Sequence, residues 1–137
     1  AFFVQAQKPL PVGFAFAADS KKLAQWLIGV QGGNEQELTE AIRSGTVDVQ
    51  LLAATCGLGC CHVGLAGLRD TSKHWLRQIM SKEDQQSDWA ARPLRNEQLC
   101  YAALDAIACL RVICVMEDDW GAAELERLDR RLFWVNR

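Results

Sequence analysis

Apolar positions along the chain change period several times, and each change predicts an element. Residues 1–8 read as the end of an element packed on a core, and Pro9 and Pro11 then break any helix. The apolar run Val12-Gly13-Phe14-Ala15-Phe16 predicts a short buried strand. Asp19 and Ser20 are candidate caps for a helix over 21–30, whose apolar face would carry Leu23, Trp26 and Leu27. Gly32-Gly33-Asn34 predicts a turn, and 35–43 a short polar helix. After Gly45, residues 47–53 read as a second strand running into a helix, followed by a Gly/Cys-rich loop over 56–63. A further helix is expected over about 64–80, then a polar loop over 81–94 that ends in Arg92-Pro93-Leu94. Arg95 or Asn96 opens a long helix to about Met116, with Leu99, Ala103, Ile107, Leu110 and Cys114 as its apolar stripe. Gly121 stops it, and a final amphipathic helix is expected to present Leu125, Leu128, Leu132 and Phe133.

Composition narrows the class. The chain has 137 residues, half of them hydrophobic and 23% charged, which suits one folded domain with a modest core. A formal net charge of −2 argues against broad electrostatic binding of nucleic acid. It leaves room for a site that grips phosphates through metal ions, which bring their own positive charge. No apolar run approaches a membrane span in length, so no membrane association is expected. The opening Ala-Phe-Phe-Val reads as the interior of an element, so an upstream portion is expected. Cys100, Cys109 and Cys114 fall in a helical apolar pattern as small hydrophobes. An intracellular, reducing compartment without a disulfide framework is the expectation, with nucleus, cytoplasm and organelle undistinguished.

Candidate chemistry comes in small groups. Tyr101 and Asp105, four apart, lie on one helix face. They read either as a phenol and carboxylate that hold a metal ion and aim a water, or as a core Tyr beside a surface Asp. Asp19 follows an apolar strand and reads either as a cap or as a carboxylate at the C-terminal edge of a sheet, where α/β domains place their sites. Arg92, Arg95 and Lys82 are phosphate contacts or solvated loop cations. Cys56, Cys60, Cys61 and His62 offer soft ligands for zinc, though adjacent cysteines suit one tetrahedral ion poorly; small core residues in a tight loop are the alternative.

Together these segments resemble the DnaQ-like three-prime to five-prime exonuclease domains. The likeness is to the subgroup with a catalytic tyrosine, the ribonuclease D and Werner exonuclease type. It rests on Val12-Gly13-Phe14 with Asp19 and Leu23, on Asp48 to Ala53, and on Gly64-Leu65-Ala66-Gly67-Leu68. It rests further on Ser87-Asp88-Trp89, Arg92-Pro93-Leu94 and the block from Glu97 through Tyr101 to Asp105-Ala106. The family match spans 12–116 within a single domain, and 117–137 form a C-terminal helical extension. The resemblance implies an RNase H-like α/β fold and hydrolysis of RNA or DNA phosphodiesters by two divalent ions, Mg²⁺ or Mn²⁺, about 3.5–4 Å apart. It implies Asp105 as ligand of the ion that generates the nucleophile, Tyr101 as the residue that orients the attacking water, and Asp19 as support for the second ion through water. Arg92 and Lys82 are the accompanying nucleic-acid contacts.

One departure is large. The family's first motif, an Asp-x-Glu on a central strand, has no counterpart, because no Asp or Glu precedes Asp19. The fold is therefore expected to be incomplete in this segment, lacking the N-terminal central strands. Another segment of the same protein, or another chain, is expected to complete the sheet, since an unpaired apolar strand is an aggregation site. Single-stranded or structured nucleic acid is the expected substrate. The alternative is a catalytically inactive, exonuclease-derived subunit of a larger assembly, such as a ribonucleoprotein. A weaker alternative is a zinc-stabilised binding module.

Overall fold

The computed structural model describes residues 11–56 and 65–121. The order of elements is β1 (Val12–Gly13), α1 (Ala17–Gln31), α2 (Glu35–Ser44), β2 (Val47–Asp48), α3 (Val49–Thr55), α4 (Leu68–Leu76) and α5 (Asn96–Trp120). The described fold is α-rich. Its sheet is a single parallel pair, with Val12 opposite Val47 and Gly13 opposite Asp48. A crossover through α1 and α2 joins the two strands, as a parallel pair requires. This arrangement is compatible with the α/β class.

Local chemistry sets the boundaries. The first strand is shorter than the apolar run 12–16 suggests, because Ala15 turns the chain with φ 52° and Phe16 already has helical dihedrals. Gly13 allows this turn: a Cβ there would sit 2.8 Å from the Phe16 ring. Asp19 is not the cap of α1. It lies in the first turn, where a carboxylate complements the helix dipole, and Phe16 occupies the cap position without a side-chain bond. Gly32 (φ 72°) and Gly33 (φ 123°) end α1 in conformations that favour glycine. Asn34 then caps α2 by accepting from the N–H groups of Gln36 (2.8 Å) and Glu37 (3.1 Å). Helix α4 is shorter than the expected 64–80: it begins at Leu68 and stops at Arg77, whose φ of 56° is left-handed.

The core forms where α3, α4 and α5 meet the strand pair. Val47, Val49, Leu52, Ala53, Cys56, Cys109, Val112, Ile113 and Met116 are buried together, with Val12, Phe14, Leu68, Trp75 and Leu76 packed against them. Here the expected stripe of α5 is overturned. Leu99, Ala103, Ile107, Leu110 and Cys114 are exposed, and the buried stripe is Ala108, Cys109, Val112, Ile113 and Met116. The helix is apolar around much of its circumference, so periodicity alone does not choose the face that docks. Cys100 and Cys114 are exposed thiols, and only Cys109 of the three behaves as a core residue. On α1 the same correction applies. Ser20 and Ala24 are buried, whereas Leu23 and Trp26 are exposed.

By length and composition α5 is also long and apolar enough to cross a membrane, contrary to the expectation that no segment approaches that length. Asp105 and Arg111 interrupt the apolar run in the sequence without cancelling its average. The expected elements over 1–8 and 122–137, and the loop cysteines Cys60 and Cys61 with His62, lie outside the described residues.

Candidate active site

The buried stripe of α5 continues toward the helix N-terminus as Asp105 and Tyr101, in steps of three or four residues from Met116 through Val112 and Cys109. Docking of that stripe on the core carries the two polar groups to the rim of an open cleft of about 530 Å³. Phe14, Ala15, Phe16 and Asp19 also line it, and Lys82, Ser81 and Gln85 come from the loop before α5. Asp19, Tyr101, Asp105 and Lys82, singled out from sequence, therefore line one cleft. Arg92 is not among the lining residues. Its guanidinium donates to the carbonyls of Trp89 (3.0 Å) and Ala91 (2.7 Å) within its own loop. Arg95 pairs with Asp84 at 2.7 Å.

Tyr101 and Asp105 form a coupled pair. The tyrosine hydroxyl and the carboxylate one turn on are close enough to influence each other's protonation. Burial first, then the neighbouring negative charge of Asp105, pushes the Tyr101 pKa up, so the group stays a phenol. Burial pushes the Asp105 pKa up as well, and the neighbouring Tyr101 hydroxyl opposes that shift. A desolvated carboxylate of this kind gains from a nearby cation. Trp89 lies beside Tyr101, ring centroids 6.0 Å apart and planes at 54°. Asp19, by contrast, is exposed and only loosely paired with Lys22 at 3.9 Å.

A buried polar hub fixes the approach loop. Gln98, 2% exposed, donates from Nε2 to Ser87 Oγ (3.1 Å) and to the Asp88 carbonyl (2.9 Å). Its Oε1 accepts from the Arg95 N–H at 2.9 Å. This ties the loop that carries Lys82 and Gln85 to the first turn of the helix that carries Tyr101.

The cleft holds groups that sequence reasoning did not single out. Arg69 and Asp70, at the start of α4, line it, as does Gln50, whose Nε2 donates to the Ala66 carbonyl at 3.0 Å. No spacing signal marks these residues. The carboxylate and phenol oxygens at the cleft fit a hard divalent ion better than a soft one. Among the described residues no three His, Cys, Asp or Glu side chains converge as a metal site. The donor set gathered here is thus smaller than a closed site uses.

Comparison with known proteins bears on the family of the chain. The family described as 3'-5' exonuclease matches residues 8–119. Exonuclease mut-7 of Caenorhabditis elegans is 33% identical over 67 residues, covering 46% of this chain and 7% of that protein. The exonuclease mut-7 homolog of Aedes aegypti is 53% identical over 51 residues, covering 37% of this chain and 7% of that protein. Ribonuclease D of Shewanella sp. (strain ANA-3) is 33% identical over 89 residues, covering 64% of this chain and 20% of that enzyme. The chain thus spans a small part of each of these relatives. No solved structure matches it.

Proposed function

The chain belongs to the 3'-5' exonuclease family, and from that premise we propose that its cleft removes nucleotides from the three-prime end of a nucleic acid by metal-dependent hydrolysis. The observation that carries the reading is the meeting of Tyr101, Asp105 and Asp19 at one cleft with Lys82 beside them. Asp105 and Asp19 would hold Mg²⁺ or Mn²⁺. Such ions, when bound, supply the charge that stabilises the attacking and leaving oxygens of an in-line displacement.

The chain's own groups have separate tasks. The Tyr101 phenol, kept protonated by burial and by Asp105, presents an oxygen that can accept a hydrogen bond from a water and hold it in line with the phosphorus. Lys82 meets a phosphate as a point charge. The name of the ribonuclease D relative makes RNA the first substrate to test, with DNA beside it.

We read the fold as RNase H-like, with its sheet and ligand set completed by a further strand-bearing segment that brings more carboxylates. Two features support this: a sheet of two short strands among the described residues, and large apolar side chains left exposed on α5, with Leu104 at 59%, Ile107 at 49% and Leu110 at 53%. The experiment is digestion of five-prime-labelled single-stranded RNA and DNA with Mn²⁺ or with a chelator, for the natural protein and for Asp105→Ala. Stepwise shortening that needs both the ion and Asp105 supports the proposal. Undiminished shortening by Asp105→Ala would sink it. No shortening in any arm would favour the inactive, structural alternative.

A further inference from the structure

The Asp48 carboxylate does two jobs in different parts of the chain. As the cap of α3 its Oδ1 accepts from the Gln50 N–H at 3.0 Å. The same oxygen accepts from the Ala15 N–H at 3.1 Å, and Oδ2 accepts from the Phe16 N–H at 2.9 Å. These last two donors lie 33 and 32 positions earlier, in the turn between β1 and α1. The turn needs an external hold. Ala15 carries a Cβ at φ 52°, a region that disfavours L side chains, and α1 begins without a side-chain cap of its own.

We propose that Asp48 is a positioning residue: by clamping the N–H groups of Ala15 and Phe16 it sets the first turn of α1, and through it the place of Asp19 at the cleft. The inference rests on the reading of Asp19 as a metal-supporting carboxylate. Its chain of contacts is short. Asp48 holds Phe16; the Phe16 carbonyl accepts the Ser20 N–H at 2.9 Å; Asp19 lies between them in that turn. The missing Cβ at Gly13 leaves room for the Phe16 ring to lie against β1, which the clamped turn requires.

Asp48→Asn can keep the Gln50 cap but sets an NH₂ group against one of the two loop N–H groups. Asp48→Ser keeps a good cap and is too short to reach both. Two measurements on these variants separate the possibilities. In amide hydrogen exchange, Ala15, Phe16 and Ser20 should exchange at least about tenfold faster in Asp48→Asn, the size of a lost charge-assisted bond, while Val112 and Ile113 hold their rates. Unchanged rates at Ala15 and Phe16 would overturn the proposal. Should Asp48→Asn fail to fold, Asp48→Ser measured in the same way decides.

The second measurement is Mn²⁺ titration followed by electron paramagnetic resonance. Asp48→Asn should weaken Mn²⁺ binding about tenfold in the natural background and have no further effect when Asp19 is already Ala. Equal weakening in both backgrounds would overturn the route through Asp19. No Mn²⁺ binding by the natural protein would overturn the metal reading of Asp19, and with it that route, while the exchange rates would still decide whether Asp48 sets the turn.

Discussion

Tyr101 and Asp105 stand one turn apart on α5 at the same cleft, and burial raises the pKa of both groups. The pair is therefore costly to the fold and useful to a cation. Replacing Asp105 by Asn removes a desolvated carboxylate and keeps an acceptor for Tyr101. We expect Asp105→Asn to melt at or above the temperature of the natural protein in chelator, and to lose Mn²⁺ binding. Asp105→Ala should lower hydrolysis by about 100-fold or more, and Tyr101→Phe should slow hydrolysis while leaving Mn²⁺ affinity largely unchanged. Melting curves, metal titration and single-turnover digestion read these three outcomes.

The direction of the Asp105 shift fixes a pH dependence. Its pKa is raised in the native state, so between the ordinary value and the raised one the native chain binds more protons than the unfolded chain. Stability must then fall as pH rises through that window, and Asp105→Asn should flatten the fall. Mn²⁺ competes with the same proton, so its affinity should rise over the same window. Melting temperature against pH, for both proteins with and without Mn²⁺, tests the two opposite slopes.

Cys109 gives a second, more alkaline slope. Burial, then the charges of Asp105 and Asp48, push its thiol up to about 11. The unfolded chain loses that proton near the ordinary value of 9.0, so stability should decline between there and about 11. At pH 8 an alkylating reagent should modify the exposed Cys100 and Cys114 and leave Cys109 unmodified until the chain unfolds. Peptide mapping by mass spectrometry reads the order of labelling.

Gln98→Leu should be among the more damaging single changes at the site. It preserves bulk but leaves the Arg95 N–H and the Asp88 carbonyl without the partners they have now. The expected loss is about 2–4 kcal/mol, with faster amide exchange at the first turn of α5 and in the loop over 81–94. Denaturant unfolding gives the first quantity and hydrogen exchange the second.

The two faces of α5 make a direct test of packing. Val112→Ala opens a cavity in the core and should cost about 2–4 kcal/mol, whereas Leu110→Ala, on the exposed face, should stay within about 0.5 kcal/mol in this chain. A large cost for Leu110→Ala measured in a longer form of the protein would mean that another segment covers that face.

Part of the candidate site was legible because its signals are local. Four-residue spacing places Tyr101 and Asp105 together on any helix, and the turn chemistry of Gly32, Gly33 and Asn34 announces the break between α1 and α2. Short-range patterns of this kind also carried the family, since the block around Tyr101 and Asp105 is long and specific. Three features were not available locally. The docking face of α5 depends on what the strand pair and α3 present to it, because apolar residues surround the helix and either stripe satisfies the period. The use of Arg92 on its own loop depends on where the Trp89 and Ala91 carbonyls turn. The reach of Asp48 to Ala15 and Phe16 depends on the pairing of β1 with β2, which brings together residues more than thirty positions apart. The sequence alone determined the break between α1 and α2 and the spacing of Tyr101 and Asp105, since these follow from backbone geometry within a few residues. Only the tertiary structure decided which face of α5 is buried and what holds Asp19 at the cleft, since those are set by contacts between segments that no local spacing encodes.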